Sequence, residues 1–278
     1  MFEGRKLLIV TKHGKEQVIA SVFEKALGVR CVLDNSFDTD QLGTFSGEVD
    51  RTLDPMSAAK QKCLEGMWQS GCDLAIANEG SFGPHPTLFF VPADEELLVL
   101  IDSKNKLELV VRELSTATNF DAREITTVEE LVAFTKHAQF PSHALILRPA
   151  KDNFHGMVKG IHEEAQLIEV FESLKSQHPS VYIETDMRAM HNPSRMQVIA
   201  AAAEKMLSLI HSTCPQCQTP GFSVSDYIRG LPCSLCGRPT RSVLAQIYTC
   251  KHCQYQEEKP NPDSKDFEDP MYCDYCNP

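Results

Sequence analysis

The chain holds 278 residues, 42% hydrophobic and 23% charged, a composition that supports a buried core and excludes disorder as the default. Lys and Arg number 27 against 38 Asp and Glu, for a formal net charge of −11. Non-specific nucleic-acid binding relies on basic side chains that neutralise phosphates, so this balance argues against nucleic acid as a partner. An anionic ligand would need a locally basic or metal-containing site.

The N-terminus, MFEGRKLLIVTKHGKEQ, is charged and reaches only the short apolar run LLIV. That is neither a signal peptide nor a membrane span, so a cytoplasmic chain with no membrane partner is expected. In a reducing compartment, the 11 cysteines point to metal or buried thiols rather than disulfides. Strand and helix patterns then alternate: KLLIV, GKEQVIASVFEKAL, VRCVL, PMSAAKQKCLEGMWQ and CDLAIA. This order predicts parallel pairing. EELLVLID and LELVVREL, joined by SKNK, read as an antiparallel hairpin.

Further on come a helix over TTVEELVAFTKHA, capped by Thr126 or Thr127 with Glu129 or Glu130 in its first turn, the strand HALILR, a helix near 161–175 and the strand VYIET. A last helix opens with Asn192 as N-cap and Pro193 at its first position. The expected fold is α/β: a mixed, mostly parallel sheet with flanking helices over residues 1–211, then a small double zinc-ribbon domain over 212–278.

Four Cys-x-x-Cys pairs occupy the tail: Cys214 and Cys217, Cys233 and Cys236, Cys250 and Cys253, Cys273 and Cys276. A two-residue gap lets one turn aim both thiolates at a single tetrahedral ion, and two turns complete the ligand set, so two structural zinc ions are expected. CPQCQTPGFSVSDYIRGLPCSLCG is similar to a zinc ribbon of the transcription-factor type, with Gly237 at the left-handed position after its second pair. The expected pairing is therefore sequential, Cys214, Cys217, Cys233 and Cys236 at one site and Cys250, Cys253, Cys273 and Cys276 at the other. A nested pairing that joins the two middle turns is the alternative. Four thiolates leave no open coordination position, so neither site is catalytic. His252 reads as exposed rather than as a ligand. Cys31, Cys63 and Cys72 lack partners at metal spacing and read as buried, inert thiols.

Candidate chemistry in the N-terminal region gathers at loops. Thr11-Lys12-His13-Gly14-Lys15 leads into a helix whose free amides favour an anion, with Lys15 adding a charge and His13 beside it. Glu48, Asp50 and Asp54 precede a helix, where capping and solvation are the ordinary explanation for the two aspartates. Asn78, Glu79 and Gly80 are read as the end of a buried strand. GSFGPHPTLFF reads as a substrate loop or a rigid turn around His85. ETDMRAMHNPSR crowds Glu184, Asp186, Arg188, His191 and Arg195 between a strand and a helix, as an active-site rim or as a surface ion-pair network.

The Lys-bearing first loop, the TF-x-x-E stretch before an Ala-Lys helix, the strand ending in an acid and Gly, and MRAMHNPSRMQVIAAAAEKML together resemble the inosine-triphosphate pyrophosphatase and Maf-like superfamily. That resemblance implies Mg²⁺-dependent hydrolysis of nucleoside triphosphates, with Lys15 and Arg195 on the phosphates, Glu48 and Glu79 on the metal, and Ser194 on the base or sugar. The sequence departs from it in lacking a His between Ser194 and Arg195 and in carrying the cysteine pairs. The whole chain also resembles a bacterial family of unknown function ending in a PMYCDYCNP-type tail.

Two function classes follow. One is a metal-dependent phosphohydrolase acting on a nucleotide or another phosphorylated small molecule. Its catalytic candidates are Glu79, Glu48 and Lys15, and its substrate-binding candidates are Lys15, His13, Arg188, Ser194 and Arg195. The other is a zinc-ribbon adaptor that docks on protein or nucleic acid through Arg229, Arg238, Arg241, Tyr227 and Tyr248.

Overall fold

The computed structural model describes residues 1–33 and 53–278, so Glu48 and Asp50 lie outside the described residues. The chain divides into two units, Met1–Leu207 and Ser208–Pro278. Among the described residues no helix is long and apolar enough to cross a membrane.

The first unit contains two sheets. Strands β1 (Lys6–Val10), β2 (Arg30–Leu33), β3 (Leu74–Pro84), β4 (Pro92–Asp102) and β5 (Leu107–Ser115) form one, in the order β2-β1-β3-β4-β5. Its β1/β2 and β1/β3 pairings are parallel, and its β3/β4 and β4/β5 pairings are antiparallel. The continuous apolar run of β1 suits a central strand covered on both faces, and all but its first residue are buried. Helices α1 (Glu16–Leu27) and α2 (Pro55–Ser70) cross between the parallel strands. Asp54 caps α2 by accepting from the amides of Met56 and Ser57, the capping role expected of it. Ala59, Cys63 and Met67 of α2 pack on Leu8, Val10, Ala75, Ala77, Leu97 and Val99, which assigns one face of the sheet to this helix.

Strands β6 (Ala122–Ile125), β7 (Leu145–Arg148), β8 (Val158–Ile161) and β9 (Val181–Thr185) form the second sheet, in the order β6-β9-β7-β8, antiparallel throughout. Helices α3 (Val128–His137) and α4 (Glu164–Lys175) bury Leu131, Phe134, Leu167 and Phe171 against Leu145, Leu147, Val181 and Ile183. Thr127 and Glu130 form a complete capping box at the start of α3. Helix α5 (Pro193–His211) begins as expected, the Asn192 side chain accepting from the Arg195 amide at 3.0 Å.

The α/β class and the mixed sheet agree with the sequence. Among the described residues, however, parallel strand pairing is confined to β1 and the two strands flanking it. HALILR and VYIET do not join that sheet, because the β3–β4–β5 meander ends it at an edge and the next strands find antiparallel partners among themselves. LAIA is also only the first part of β3, which runs on through Asn78, Glu79 and Gly80 to Pro84 as half of a long hairpin.

The second unit carries an antiparallel sheet of β10 (Ser223–Arg229), β11 (Val243–Thr249) and β12 (Gln256–Pro260), in that order.

Candidate metal centres and a buried polar site

Each cysteine pair forms a turn with the same closure. The amides of Gln218, Gly237, Gln254 and Asn277 donate to the carbonyls of Cys214, Cys233, Cys250 and Cys273, each at 2.9 Å. Gly237 has φ +69°, the left-handed conformation expected of it, and Gln218 and Gln254 adopt similar values at the equivalent positions. The turns assemble into two groups: Cys214, Cys217, Cys250 and Cys253, and Cys233, Cys236, Cys273 and Cys276.

This grouping corrects the sequential pairing, and it is not the nested alternative either. The physical reason is the number of strands between turns. Only β10 separates the first turn from the second, and a seven-residue strand carries them about 23 Å apart. Two antiparallel strands separate the first turn from the third and return the chain to the same end, as the Ser223↔Thr249 register shows. The second and fourth turns are likewise separated by two strands. The stretch from Cys217 to Cys233, which resembles a complete ribbon hairpin, contains one strand.

A tetrahedral ion with bonds of about 2.3 Å sets its sulfurs about 3.8 Å apart. In the first group, Cys214 and Cys253 are 3.6 Å apart, as are Cys217 and Cys250. In the second, Cys233 and Cys276 are 3.8 Å apart and Cys236 and Cys273 3.7 Å. Each group could hold one metal ion, consistent with two zinc sites. The surroundings differ. Phe222, Tyr248 and Tyr255 pack around the first tetrad. The second has an exposed cysteine, Cys236, and chain neighbours Leu235, Met271, Tyr272 and Tyr275 that face solvent.

Tyr248, named for an adaptor surface, belongs to the apolar cluster of the first tetrad. Tyr248 is packed beside Phe222 with the Lys259 ammonium 4.3 Å above its ring. Arg229 donates to the Arg241 carbonyl, Arg241 pairs with Asp274, and Arg238 lies over Tyr275 at 4.1 Å. Tyr227 is exposed.

In the first unit the predicted residues separate. Lys15 sits at the N-cap position of α1, after His13 and Gly14, both with positive φ. Its ammonium is buried and donates to Asn78 Oδ1 at 2.7 Å. Asn78 Nδ2 donates to Glu96 Oε2 at 2.8 Å, and Glu96 Oε1 accepts from Arg195 Nε at 2.6 Å. Arg195 also donates to the Met187 carbonyl and lies over the Phe82 ring at 5.0 Å. Lys15 and Arg195 thus belong to one hydrogen-bonded chain, which runs through two residues on adjacent strands. Desolvation, and then the neighbouring Arg195 charge, push the Lys15 pKa down to about 7.

Gly80 makes the Arg195–Glu96 pair possible. A Cβ there would lie 2.7 and 2.9 Å from the two Glu96 carboxylate oxygens and closer still to the Arg195 guanidinium. Asp94, two residues before Glu96, is also buried. Neither of its oxygens meets a donor among the described residues. Desolvation and the adjacent Glu96 carboxylate push its pKa up to about 8, so it is protonated at neutral pH and can share that proton with Glu96.

Glu79 points the other way. Side chains alternate along a strand, and Glu79 shares the α2 face with Ala77 and its cross-strand partner Leu97. There it forms an ion pair with Lys62 of α2. The other candidates also have separate partners. Asp186, fully buried, accepts from the Gly160 amide and from Arg188. Glu184 pairs with Arg148, and His191 meets His162 at 2.8 Å. Ser194 meets His143. His85 Nδ1 accepts from the Thr87 and Leu88 amides, which makes it the hub of a rigid turn. Cys63 is buried and its thiol is pushed up to about 12, whereas Cys31 and Cys72 are only part-buried.

Sequence reasoning missed Asp94 and Glu96. The available signal was their spacing. Asp94, Glu96, Leu98 and Leu100 alternate on one face of β4, so two acids continue an apolar stripe.

No curated protein matches the chain. Among solved structures, the crystal structure of protein VC0702 from Vibrio cholerae is similar, with 12% identity over 75% of this chain and 94% of that one, at a TM-score of 0.32. A family model, described as a domain of unknown function, DUF6671, matches residues 62–278, more than half of the chain including both cysteine tetrads, and the chain therefore belongs to that family.

Proposed function

We propose that the protein is a zinc-binding, divalent-metal-dependent phosphohydrolase that acts on nucleotides in the cytoplasm, its two zinc ions serving a structural role. The observation that carries this reading is Lys15. A buried ammonium, stationed at the start of α1 by a chain through Asn78 and Glu96 to Arg195, is held near neutral pKa and gains charge as a phosphate dianion approaches. In this reading Arg195 is a positioning residue, since its side chain is fully buried against Glu96. Glu79 is the candidate ligand for Mg²⁺ and Lys62 its resting counter-ion.

The test is hydrolysis of a panel of normal and damaged nucleoside triphosphates by the full chain with Mg²⁺ or Mn²⁺. Turnover lost in Glu79→Gln and Lys15→Gln supports the reading. Equal residual activity in wild type and both variants would sink it.

The exposed apolar rim of the second tetrad favours a second reading, a zinc-ribbon adaptor. Leu235, Met271, Tyr272 and Tyr275 face solvent, whereas the aromatic residues of the first tetrad pack inward.

A further inference from the structure

Ser194 and His143 form an arrangement that neither the tetrads nor the Lys15 chain uses. Ser194 is the second residue of α5 and is half-buried. Its Oγ lies 2.9 Å from His143 Nε2, and its amide donates to the same nitrogen at a longer 3.3 Å. On the other side of the imidazole, His143 Nδ1 lies 3.0 Å from Ser142 Oγ. The Ser142 hydroxyl donates to the Gln139 carbonyl at 2.6 Å.

These contacts, with the Gln139 carbonyl also favouring a proton on His143, assign the protons along the chain. A hydroxyl has one proton, and the Ser142 proton is committed to Gln139, so Ser142 Oγ accepts from His143 Nδ1–H. The neutral imidazole then presents a lone pair at Nε2, and Ser194 Oγ–H donates to it. Burial holds His143 below the ordinary imidazole pKa, which keeps Nε2 unprotonated. A hydroxyl on a base that is itself oriented by a third group is the general form of an activated nucleophile. Capping alone asks less of His143, because Asn192 already caps this helix through the Arg195 amide.

The hydroxyl also opens onto space. Ser194 lies at a cleft of about 150 Å³ lined by Gln197, Val198 and Ala201 of α5 with Glu113 and Ser115 of β5. Gln197, one helical turn from Ser194, places an amide on the same face as the hydroxyl.

We propose that Ser194 is a nucleophile with His143 as its general base and Ser142 as the residue that orients the base, acting on small acyl esters. Ser194 Oγ bonds to the carbonyl carbon as its proton passes to His143 Nε2. The carbon–oxygen bond to the leaving alcohol breaks, and that alcohol takes the proton. Water then attacks the acyl-serine, giving its proton to His143, and Ser194 leaves with that proton restored. The sum is ester plus water to acid plus alcohol. Among the described residues no carboxylate pairs with His143, so reactivity toward activated esters is expected and toward amides is not.

The test uses the full chain with its metal ions, a fluorophosphonate probe and p-nitrophenyl acetate. Adducts on Ser194, located by peptide mass spectrometry, are expected in wild type and absent in Ser194→Ala. Labelling should fall by about 10² in His143→Gln, the usual lower contribution of a general base. Circular dichroism checks that this variant is folded. Should it unfold, Ser142→Ala replaces it, since it keeps the imidazole and frees the tautomer, and a slower rate with a shifted pH profile is expected. No adduct on Ser194 in wild type, or equal labelling in whichever folded variant is used, would overturn the proposal.

Discussion

The two units of this chain keep themselves folded by different means. In Met1–Leu207 two sheets bury apolar clusters against helices, with buried polar groups such as the Lys15–Asn78–Glu96–Arg195 chain and Asp186 set among them. In Ser208–Pro278 the apolar cluster is built around Phe222, Tyr248 and Tyr255 and shares its space with cysteines of the first tetrad. A core that small does little to offset the entropy of ordering the chain, and ions held by the two cysteine tetrads would supply the difference. The comparison teaches that one unit should be governed by metal and the other by packing and charge.

Metal removal gives the largest expected effect. Structural zinc contributes on the order of 10 kcal/mol to the folding of small modules, so a strong chelator should abolish the near-ultraviolet dichroism of the C-terminal tyrosines while most of the far-ultraviolet helix signal persists. Loss of both signals together would break the comparison. The crossed pairing sharpens it. Closing Cys214 and Cys217 onto Cys250 and Cys253 fixes the β10–β11 pairing on which the second turn hangs, so the remaining loop is shorter and the second ion should bind more tightly. Cys214→Ser with Cys217→Ser should therefore weaken metal binding at Cys233, Cys236, Cys273 and Cys276, measured by competition with a chromophoric chelator. The reverse double variant should weaken the first site by the same factor. Independent affinities would show that the two sites fold separately.

The buried ion pair comes next. Arg195→Met takes the guanidinium from the buried Glu96 carboxylate and leaves it the Asn78 amide as donor, and breaking such a pair costs roughly 3–5 kcal/mol. Adding Glu96→Met should recover much of that loss, because replacing both partners removes the stranded charge. Urea unfolding of the two variants tests this, and a double variant no more stable than Arg195→Met would show that the pair does more than neutralise itself. Gly80→Ala should cost about 1–3 kcal/mol, since the new methyl pushes between the guanidinium and the carboxylate.

How much of this the sequence made legible differs between the units for a physical reason. Cys-x-x-Cys is a local constraint, so all eight ligands and the left-handed Gly237 could be read directly. Which turns share an ion depends on how many strands lie between them, and the hairpin suggested by the stretch after Cys217 hid that count. Local signals also located the capping box at Thr127, the Asn192–Pro193 helix start and the β4–β5 hairpin. The Lys15 chain was half legible. Lys15 and Arg195 stood out as cations at helix starts, but Glu96, which joins them, lay in a stretch that reads simply as a strand, and the length of β3 turned Glu79 onto the opposite face from Asn78.

The last effect is a slope. Asp94 has an ordinary pKa of 3.8 and is raised to about 8 in the folded protein, so between those values the native state holds one more proton than the unfolded chain. Stability therefore falls as pH rises through that interval. Lys15 acts in the opposite sense over a higher interval. Its pKa is lowered from 10.5 to about 7, so the unfolded chain holds the extra proton above neutrality and stability rises with pH there. Asp94→Asn removes the first contribution and keeps the second. Its stability relative to wild type should increase from pH 5 to pH 7 and level off near pH 8, the Lys15 contribution being common to both proteins. Urea midpoints across that range measure the difference. A constant offset between wild type and Asp94→Asn would mean that Asp94 is ionised throughout and that Glu96 does not share its proton.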